Sequence, residues 1–230
     1  PGHARPGSYA QFVLLKGEHV LPLPADLPIV RRTSLELDMC IGAAILRLKA
    51  LHALDGRTVG VTGLGPAGLI AVQMARAEGA EHIVGFDPLK DRCARALEVG
   101  ADACRPPDGS SDGEYPVRWS GPRIETGIDC VGFRTSVEFL MDRTEEVVAL
   151  FGVQREEYPF APRHFRNLIL CGYPGHSRQA AEYAAGLVRD GEIDLAPLVS
   201  HTLPLSDYSR GIDLLETREA VKVCFLPWAD

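Results

Sequence analysis

VGVTGLGPAGLIAVQMARAEGAEHIVGFD, residues 59–87, carries an apolar run from Val59 to Thr62 into a glycine turn, Gly63-x-Gly65-x-x-Gly68. A helical pattern follows, then a second apolar run, Ile83 to Phe86, that ends on Asp87. Each glycine has its own mechanical reason. Gly63 permits the tight passage from strand to helix, Gly65 lets a pyrophosphate approach the backbone, and Gly68 lets helix and strand pack closely. The helix N-terminus turns unpaired N–H groups and a positive dipole end toward the phosphates. Asp87 follows Gly68 by nineteen residues, where a carboxylate can accept both ribose hydroxyls of an adenosine. Glycine turns alone are common. Between strand and helix, with the acid at this distance, the turn predicts a dinucleotide site.

Outward from this unit the alternation continues. Strands are expected at 58–62, 82–86, 102–104, 127–131, 147–153 and 168–173. Helices are expected at 34–53 with Ser34 as N-cap, 66–78, 88–99, 135–143 and 177–189. This pattern predicts an α/β fold with a doubly wound parallel sheet. Residues 105–122, RPPDGSSDGEYPVRWSGP, are too rich in proline and glycine for a regular helix. They are expected to form a lid, a contact surface or a mobile loop. Residues 8–24 read as two short strands around a turn at Gly17. The tail reads as a connecting segment at 195–203, a helix at 206–217 and a strand at 221–226. Elements before residue 40 and after about 190 lie outside the alternation and look like pieces of a second domain interrupted by the first.

The chain has 230 residues, 46% of them hydrophobic and 24% charged, as in ordinary globular proteins. A net charge of −7 argues against nucleic acid or an anionic membrane surface as partner. Six cysteines, at 40, 93, 104, 130, 171 and 224, form no CxxC pair, and they read as free thiols in a reducing cytoplasm. No apolar run approaches the ~18 residues of a membrane span. The chain opens on Pro1 rather than methionine, so sequence upstream is expected.

GSYAQFVLL with HVLPLP, GLGPAGLIAVQMARAEGA, FDPLKDRCARALEVGADA, GIDCVG, FGV, LILCGY, GEIDLAPLVSHTLPL and AVKVCF together resemble the medium-chain dehydrogenase/reductase superfamily, and its zinc alcohol and polyol dehydrogenases in particular. The resemblance covers nearly the whole chain. It implies a Rossmann sheet inserted in the remainder of a GroES-like catalytic domain. Residues 1–40 would be a remnant of that domain, 41–175 the dinucleotide-binding domain, and 176–230 the return.

By the same resemblance, Gly63, Gly65, Pro66, Ala67 and Gly68 lie under the pyrophosphate. Asp87 binds the adenosine ribose, with Arg92 beside it. Val131, in Cys130-Val131-Gly132, lines the adenosine-side cleft. Val153 and Tyr173 sit on strand ends whose backbone meets the nicotinamide carboxamide, and Lys222 reaches the pyrophosphate. The Asp87 charge would repel a 2′-phosphate, which points to NAD rather than NADP. The implied activity is reversible hydride transfer between NAD and a secondary alcohol or polyol, in a cytoplasmic homodimer or homotetramer joined through the sheet edge near 147–173.

Zinc members of the superfamily carry most of their metal ligands ahead of the stretch matching residue 8, and no catalytic residue is assigned here. Their remaining ligand falls within LELDMCIGA, where counting back from Gly63 puts Met39 at the glutamate position. Asp38 and Cys40, on either side, could each ligate zinc with small backbone shifts, or could be core. His3, His19, His52 and His201 lack ligand-type spacing. Two departures stand out: the proline-rich segment at 105–122 replaces a usual helix, and Arg143-Thr-Glu-Glu replaces a usual glycine turn. The alternatives are a non-catalytic NAD-binding scaffold or sensor, and a zinc-free reductase of the quinone or enoyl type.

Overall fold

A computed structural model describes residues 7–23, 25, 27–110, 113–118 and 123–229. The chain divides into two compact units: Pro1–Leu35 with Asp194–Asp230, and Glu36–Ile193. The smaller unit therefore comes from both ends of the sequence.

A one-turn helix, α1 (Ile29–Arg32), opens the regular structure, and α2 (Leu35–Ala50) follows. Ile41, Ala44, Ile45 and Leu48 recur at helical spacing along α2 and are buried. The larger unit continues with β1 (Thr58–Thr62), α3 (Pro66–Ala77), β2 (His82–Phe86), α4 (Lys90–Glu98) and β3 (Ala103–Arg105). Its second half is β4 (Ile124–Asp129), α5 (Arg134–Arg143), β5 (Thr144–Leu150), β6 (Ile169–Gly172) and α6 (Arg178–Asp190). All five strand pairings in this sheet are parallel, in the order β3-β2-β1-β4-β5-β6. That order belongs to the doubly wound dinucleotide fold.

Parallel strands covered by helices on both faces must be apolar on both faces. Val59, Val61, Ile83, Val84, Ile128 and Val148 are accordingly sealed from solvent, as are Leu69, Ile70, Val72 and Met74 of α3. Pro66 takes the first position of α3, where its missing N–H costs nothing. The Ser177 hydroxyl caps α6 by accepting the Ala180 N–H at 3.0 Å.

The smaller unit resumes with β7 (His201–Pro204), α7 (Tyr208–Glu216) and β8 (Val223–Leu226). β7 and β8 pair in parallel, and α7 packs so closely that a side chain at Gly211 would meet the Phe225 ring at 2.3 Å. Tyr9, Tyr208 and Phe225 form an aromatic cluster with centroids 5.4–5.6 Å apart. No helix among the described residues is long and apolar enough to cross a membrane.

Four expectations need correction. Residues 8–24 form no strand among the described residues, only a 3-10 turn at Gly17–His19. Phe12 and Leu14 are 80% and 99% exposed, so the alternating pattern finds no neighbouring strand to pair with. Ser34 does not cap α2. It is buried with its hydroxyl unpartnered among the described residues, because helical geometry already begins at Ile29. The segment 195–203 contains the start of β7 rather than a plain connection.

The six cysteines are not all free: Cys93 and Cys104 form a disulfide, while Cys40, Cys130, Cys171 and Cys224 remain thiols. The β2–α4–β3 crossover returns the chain so that the two Cα atoms lie 5.4 Å apart. No local spacing announces such a pair, and it removes the free-thiol argument for a reducing compartment.

Part of the proline-rich excursion is packed. Tyr115 is buried, its ring edge-on to Phe86 at 5.9 Å and its hydroxyl 3.0 Å from His82 Nε2. Together with Val84, Phe86 and Ile124 it forms a cluster on the sheet. Arg118 donates from its backbone to Asp142 O at 2.7 Å and from its guanidinium to Thr144 O at 2.6 Å. Residues 113–118 therefore cover sheet face. Within the excursion, residues 111–112 and 119–122 lie outside the described residues. The segment Arg143-Thr-Glu-Glu forms no separate turn, since β5 starts at Thr144 directly after α5.

Candidate dinucleotide and metal site

The strand order reverses between β1 and β4, so their C-terminal loops diverge and open a crevice. Gly63 leaves β1 at φ +79° with its N–H on Phe86 O at 2.9 Å. A side chain there would strike Val131 Cγ2 at 2.5 Å. At Gly68 a Cβ would lie 2.0 Å from Gly63 O, so the first turn of α3 rests directly on the loop below it. Gly65 is different: nothing lies within 4 Å of the place its Cβ would take. The space beside Gly65, at the start of α3 with Pro66 and Ala67 partly exposed, is a cradle with N–H groups and a helix dipole at its base.

Asp87 ends β2 beneath this turn. Its Oδ2 accepts the Leu64 N–H at 2.8 Å, its Oδ1 the Leu89 N–H at 2.9 Å, and Arg92 stands 3.4 Å from Oδ2. The carboxylate is 1% exposed. It therefore holds the glycine turn in place in addition to any contact with a ligand. A carboxylate has about four lone-pair sites, so two remain for hydroxyl donors, reached when the Arg92 side chain swings aside.

A second carboxylate, passed over in the sequence, organises the opposite wall. Asp129 ends β4, fully buried. Oδ1 accepts Thr62 Oγ1 at 3.0 Å and Ser136 Oγ at 2.8 Å, and Oδ2 accepts the Gly132 N–H at 2.9 Å. Its carbonyl accepts the Phe151 and Gly152 N–H groups at 2.9 and 2.7 Å. One residue thus ties β1, α5 and the β4 and β5 loops together. Gly132 and Gly152 meet backbone to backbone: a Cβ at Gly132 would fall 2.2 Å from Val153 O, one at Gly152 2.3 Å from Gly132 N. Val153 then projects outward, 72% exposed. Asp129→Ala would strand two hydroxyls and the N–H groups of Val131 and Gly132. We expect it to lower unfolding free energy by about 2–4 kcal/mol, read from urea midpoints.

Further along the strand ends, Tyr173 follows β6, its ring edge-on to Phe151 at 5.5 Å and to His176 at 6.1 Å. His176 Nε2 lies 3.1 Å from Cys40 Sγ on α2, and Cys40 Sγ lies 3.4 Å from Glu36 Oε1 one helical turn earlier. Burial pushes the Cys40 thiol up to about 11, a Tyr173 hydrogen bond opposing and the Glu36 charge adding. Asp38 is separated from this cluster. Two residues before Cys40 it points to the opposite side of α2, fully buried, with neither oxygen hydrogen-bonded among the described residues. Its charge acts on Tyr183 of α6, and burial pushes its carboxyl up to about 8. Of the two positions expected to ligate zinc, only Cys40 is brought beside other donors. Met39, between them, is half-buried. Lys222 belongs to the smaller unit, where it precedes β8 and lines a cleft with Tyr9, Arg32 and Thr33.

Glu36, Asp129 and His176 were not singled out from the sequence. Asp129 sits inside a strand pattern, and His176 lies 136 residues from Cys40, so only folding reveals either role.

The family profile for zinc-binding dehydrogenase matches residues 66–189, more than half of the chain. The chain belongs to this family, within the medium-chain dehydrogenase/reductase superfamily. Among curated proteins it is 27% identical to an L-threonine 3-dehydrogenase of Anaeromyxobacter sp. (strain Fw109-5), over 99% of this chain and 66% of that protein. A second L-threonine 3-dehydrogenase, from Bacillus velezensis, is 27% identical over 96% of this chain and 65% of its own length. The chain thus spans just under two thirds of these curated relatives. Among solved structures it resembles a Sinorhizobium meliloti 1021 protein, assigned as a zinc-binding dehydrogenase and bound to NADP. The TM-score is 0.84 at 25% identity, covering 97% of this chain and 67% of that one. L-idonate 5-dehydrogenase from Escherichia coli str. K-12 substr. MG1655 shares the fold, with a TM-score of 0.76 at 22% identity over 90% of this chain and 59% of that one.

Proposed function

We propose that the protein is an NAD(H)-dependent oxidoreductase that interconverts a secondary alcohol or polyol and its ketone. The observation that carries the nucleotide half is the open cradle at Gly65, set between the close contacts of Gly63 and Gly68 at the switch point. The nicotinamide would supply the hydride acceptor at one end of the crevice. The protein's own residues give the frame. Gly63, Gly65, Pro66, Ala67 and Gly68 seat the pyrophosphate, Asp87 and Arg92 face the adenosine ribose, and the Val131, Val153 and Tyr173 strand ends hold the nicotinamide. The smaller unit, with Lys222, is read as the remainder of a GroES-like catalytic domain. The zinc that the family name implies would supply a Lewis acid for the substrate oxygen, and the donors around Cys40 fit such an ion chemically.

NAD over NADP rests on the Asp87 charge, since a 2′-phosphate would be driven against a sealed carboxylate. We expect NADH to bind at least about tenfold more tightly than NADPH in calorimetry. Equal affinities would remove the discriminating role from Asp87, and the NADP-bound S. meliloti relative makes this a sharp comparison. For substrate, L-threonine comes first, because the named relatives are L-threonine 3-dehydrogenases and its 3-hydroxyl is a secondary alcohol. A polyol comes second. Formation of NADH from either supports the proposal. Tight NADH binding with no turnover would instead favour a scaffold or sensor, and NADPH-driven reduction of a quinone or enoyl substrate would favour the zinc-free class. β6 is the sheet edge, with Ile169 48% exposed, and sedimentation tests the homodimer or homotetramer expected through it.

A further inference from the structure

We propose that Glu36, Cys40 and His176 form a metal centre of the zinc class, a three-donor site with an open fourth position. The three donor atoms, Oε1, Sγ and Nε2, stand 3.4, 3.1 and 3.7 Å apart. Tetrahedral zinc, with bonds of about 2.0–2.3 Å, sets neighbouring donors about 3.3–3.6 Å apart. The triangle therefore needs only shifts of a few tenths of an ångström to close on an ion.

The arrangement also distinguishes a metal site from a proton relay. In a thiol–imidazole–carboxylate relay the acid holds one ring nitrogen and the thiol the other. Here the same Nε2 faces both the thiol and the carboxylate, so thiol, imidazole and carboxylate converge on one another as the ligands of a single cation do.

Local structure fixes each donor. Glu36 and Cys40 share one face of α2 at i, i+4 spacing. His176 is held between Gly175, at φ +85°, and Ser177, which caps α6. Cys40 is buried at the floor, while the Glu36 and His176 side chains are 74% and 57% exposed at the rim, so a fourth ligand has access from solvent. A mixed thiolate, imidazole and carboxylate set selects zinc, or cobalt as its probe, over magnesium and calcium. The donors all lie on α2 and the β6–α6 loop, apart from the glycine cradle, with Tyr173 of the proposed nicotinamide end beside them.

The test is cobalt titration of the metal-stripped protein, followed by absorbance. We expect one Co2+ at this site, an intense thiolate-to-cobalt charge-transfer band, and tetrahedral visible bands. Cys40→Ser should abolish the charge-transfer band, and His176→Ala should weaken Co2+ binding at least tenfold. Cys171→Ser and Asp38→Asn should leave the spectrum unchanged. Circular dichroism on the same variants reports whether they are folded, and NADH calorimetry beside it keeps a failure here distinct from failure of the nucleotide site. A charge-transfer band that survives Cys40→Ser, Co2+ affinity unaltered by His176→Ala, or loss of the band in Asp38→Asn would each overturn the assignment.

Discussion

Gly65→Ala should fold nearly as well as the parent and lose most of its nucleotide affinity, whereas Gly68→Ala should fail on stability. The two glycines share one motif and differ in surroundings. A methyl group at Gly65 enters empty space, with φ −73° already suited to alanine. Its stability cost is that of a poorer N-cap, about 1 kcal/mol. The same methyl fills the cradle and should weaken NADH binding by about 10- to 100-fold, or roughly 1.4–2.7 kcal/mol. At Gly68 the methyl would overlap the Gly63 carbonyl at 2.0 Å. Backbone must move to admit it, and a loss above about 4 kcal/mol is expected. Urea unfolding and calorimetry on both variants separate the effects. Undiminished NADH binding by Gly65→Ala would sink the cradle, and a stable Gly68→Ala would sink the close-contact argument.

Asp38 should make the protein lose stability as pH rises from about 4 to about 8. Its carboxyl is buried without a hydrogen bond among the described residues, and burial lifts it to about 8, against about 3.9 in an unfolded chain. Below pH ~4 both states hold the proton, so Asp38 contributes no slope. Between ~4 and about 8 only the folded state holds it, so folding opposes ionisation and stability falls with pH. Above that window the loss is complete, at most about 6 kcal/mol. Asp38→Leu should flatten this slope and be a few kcal/mol more stable than the parent at pH 8. Asp38→Asn should flatten it with a smaller gain, since a buried amide still lacks partners. Urea midpoints across the window decide the matter: parallel profiles for parent and Asp38→Asn would refute it.

The parts of the molecule legible in the sequence are those governed by local rules. The β1-turn-α3 unit could be read from Gly63, Gly65 and Gly68 because turn geometry and close packing act within a few residues. The β2 strand at 82–86 and the helix from Ser177 were legible for the same reason, through local sequence pattern. Residues 8–24 show where periodicity misleads. Alternation makes a strand only when a neighbouring strand completes its hydrogen bonds, and none does so among the described residues. Ser34 is a sound capping residue by type, yet the chain was already helical before it.

The sequence by itself determined the alternation of β and α, the glycine turn and the placing of Asp87 at the end of β2, since each follows from backbone geometry over short separations. Only the tertiary structure decided which side chains share a site. Helix rotation turns Asp38 and Cys40 to opposite sides of α2, Cys40 toward the exposed Glu36 and His176, although they stand two residues apart. Crossovers bring Cys93 to Cys104 and His176 to Cys40, and the reversal between β1 and β4 sets Asp129 beneath both walls of the crevice. Such meetings depend on how a whole sheet closes, and no pattern of neighbours along the chain encodes them in a form that can be read before it folds.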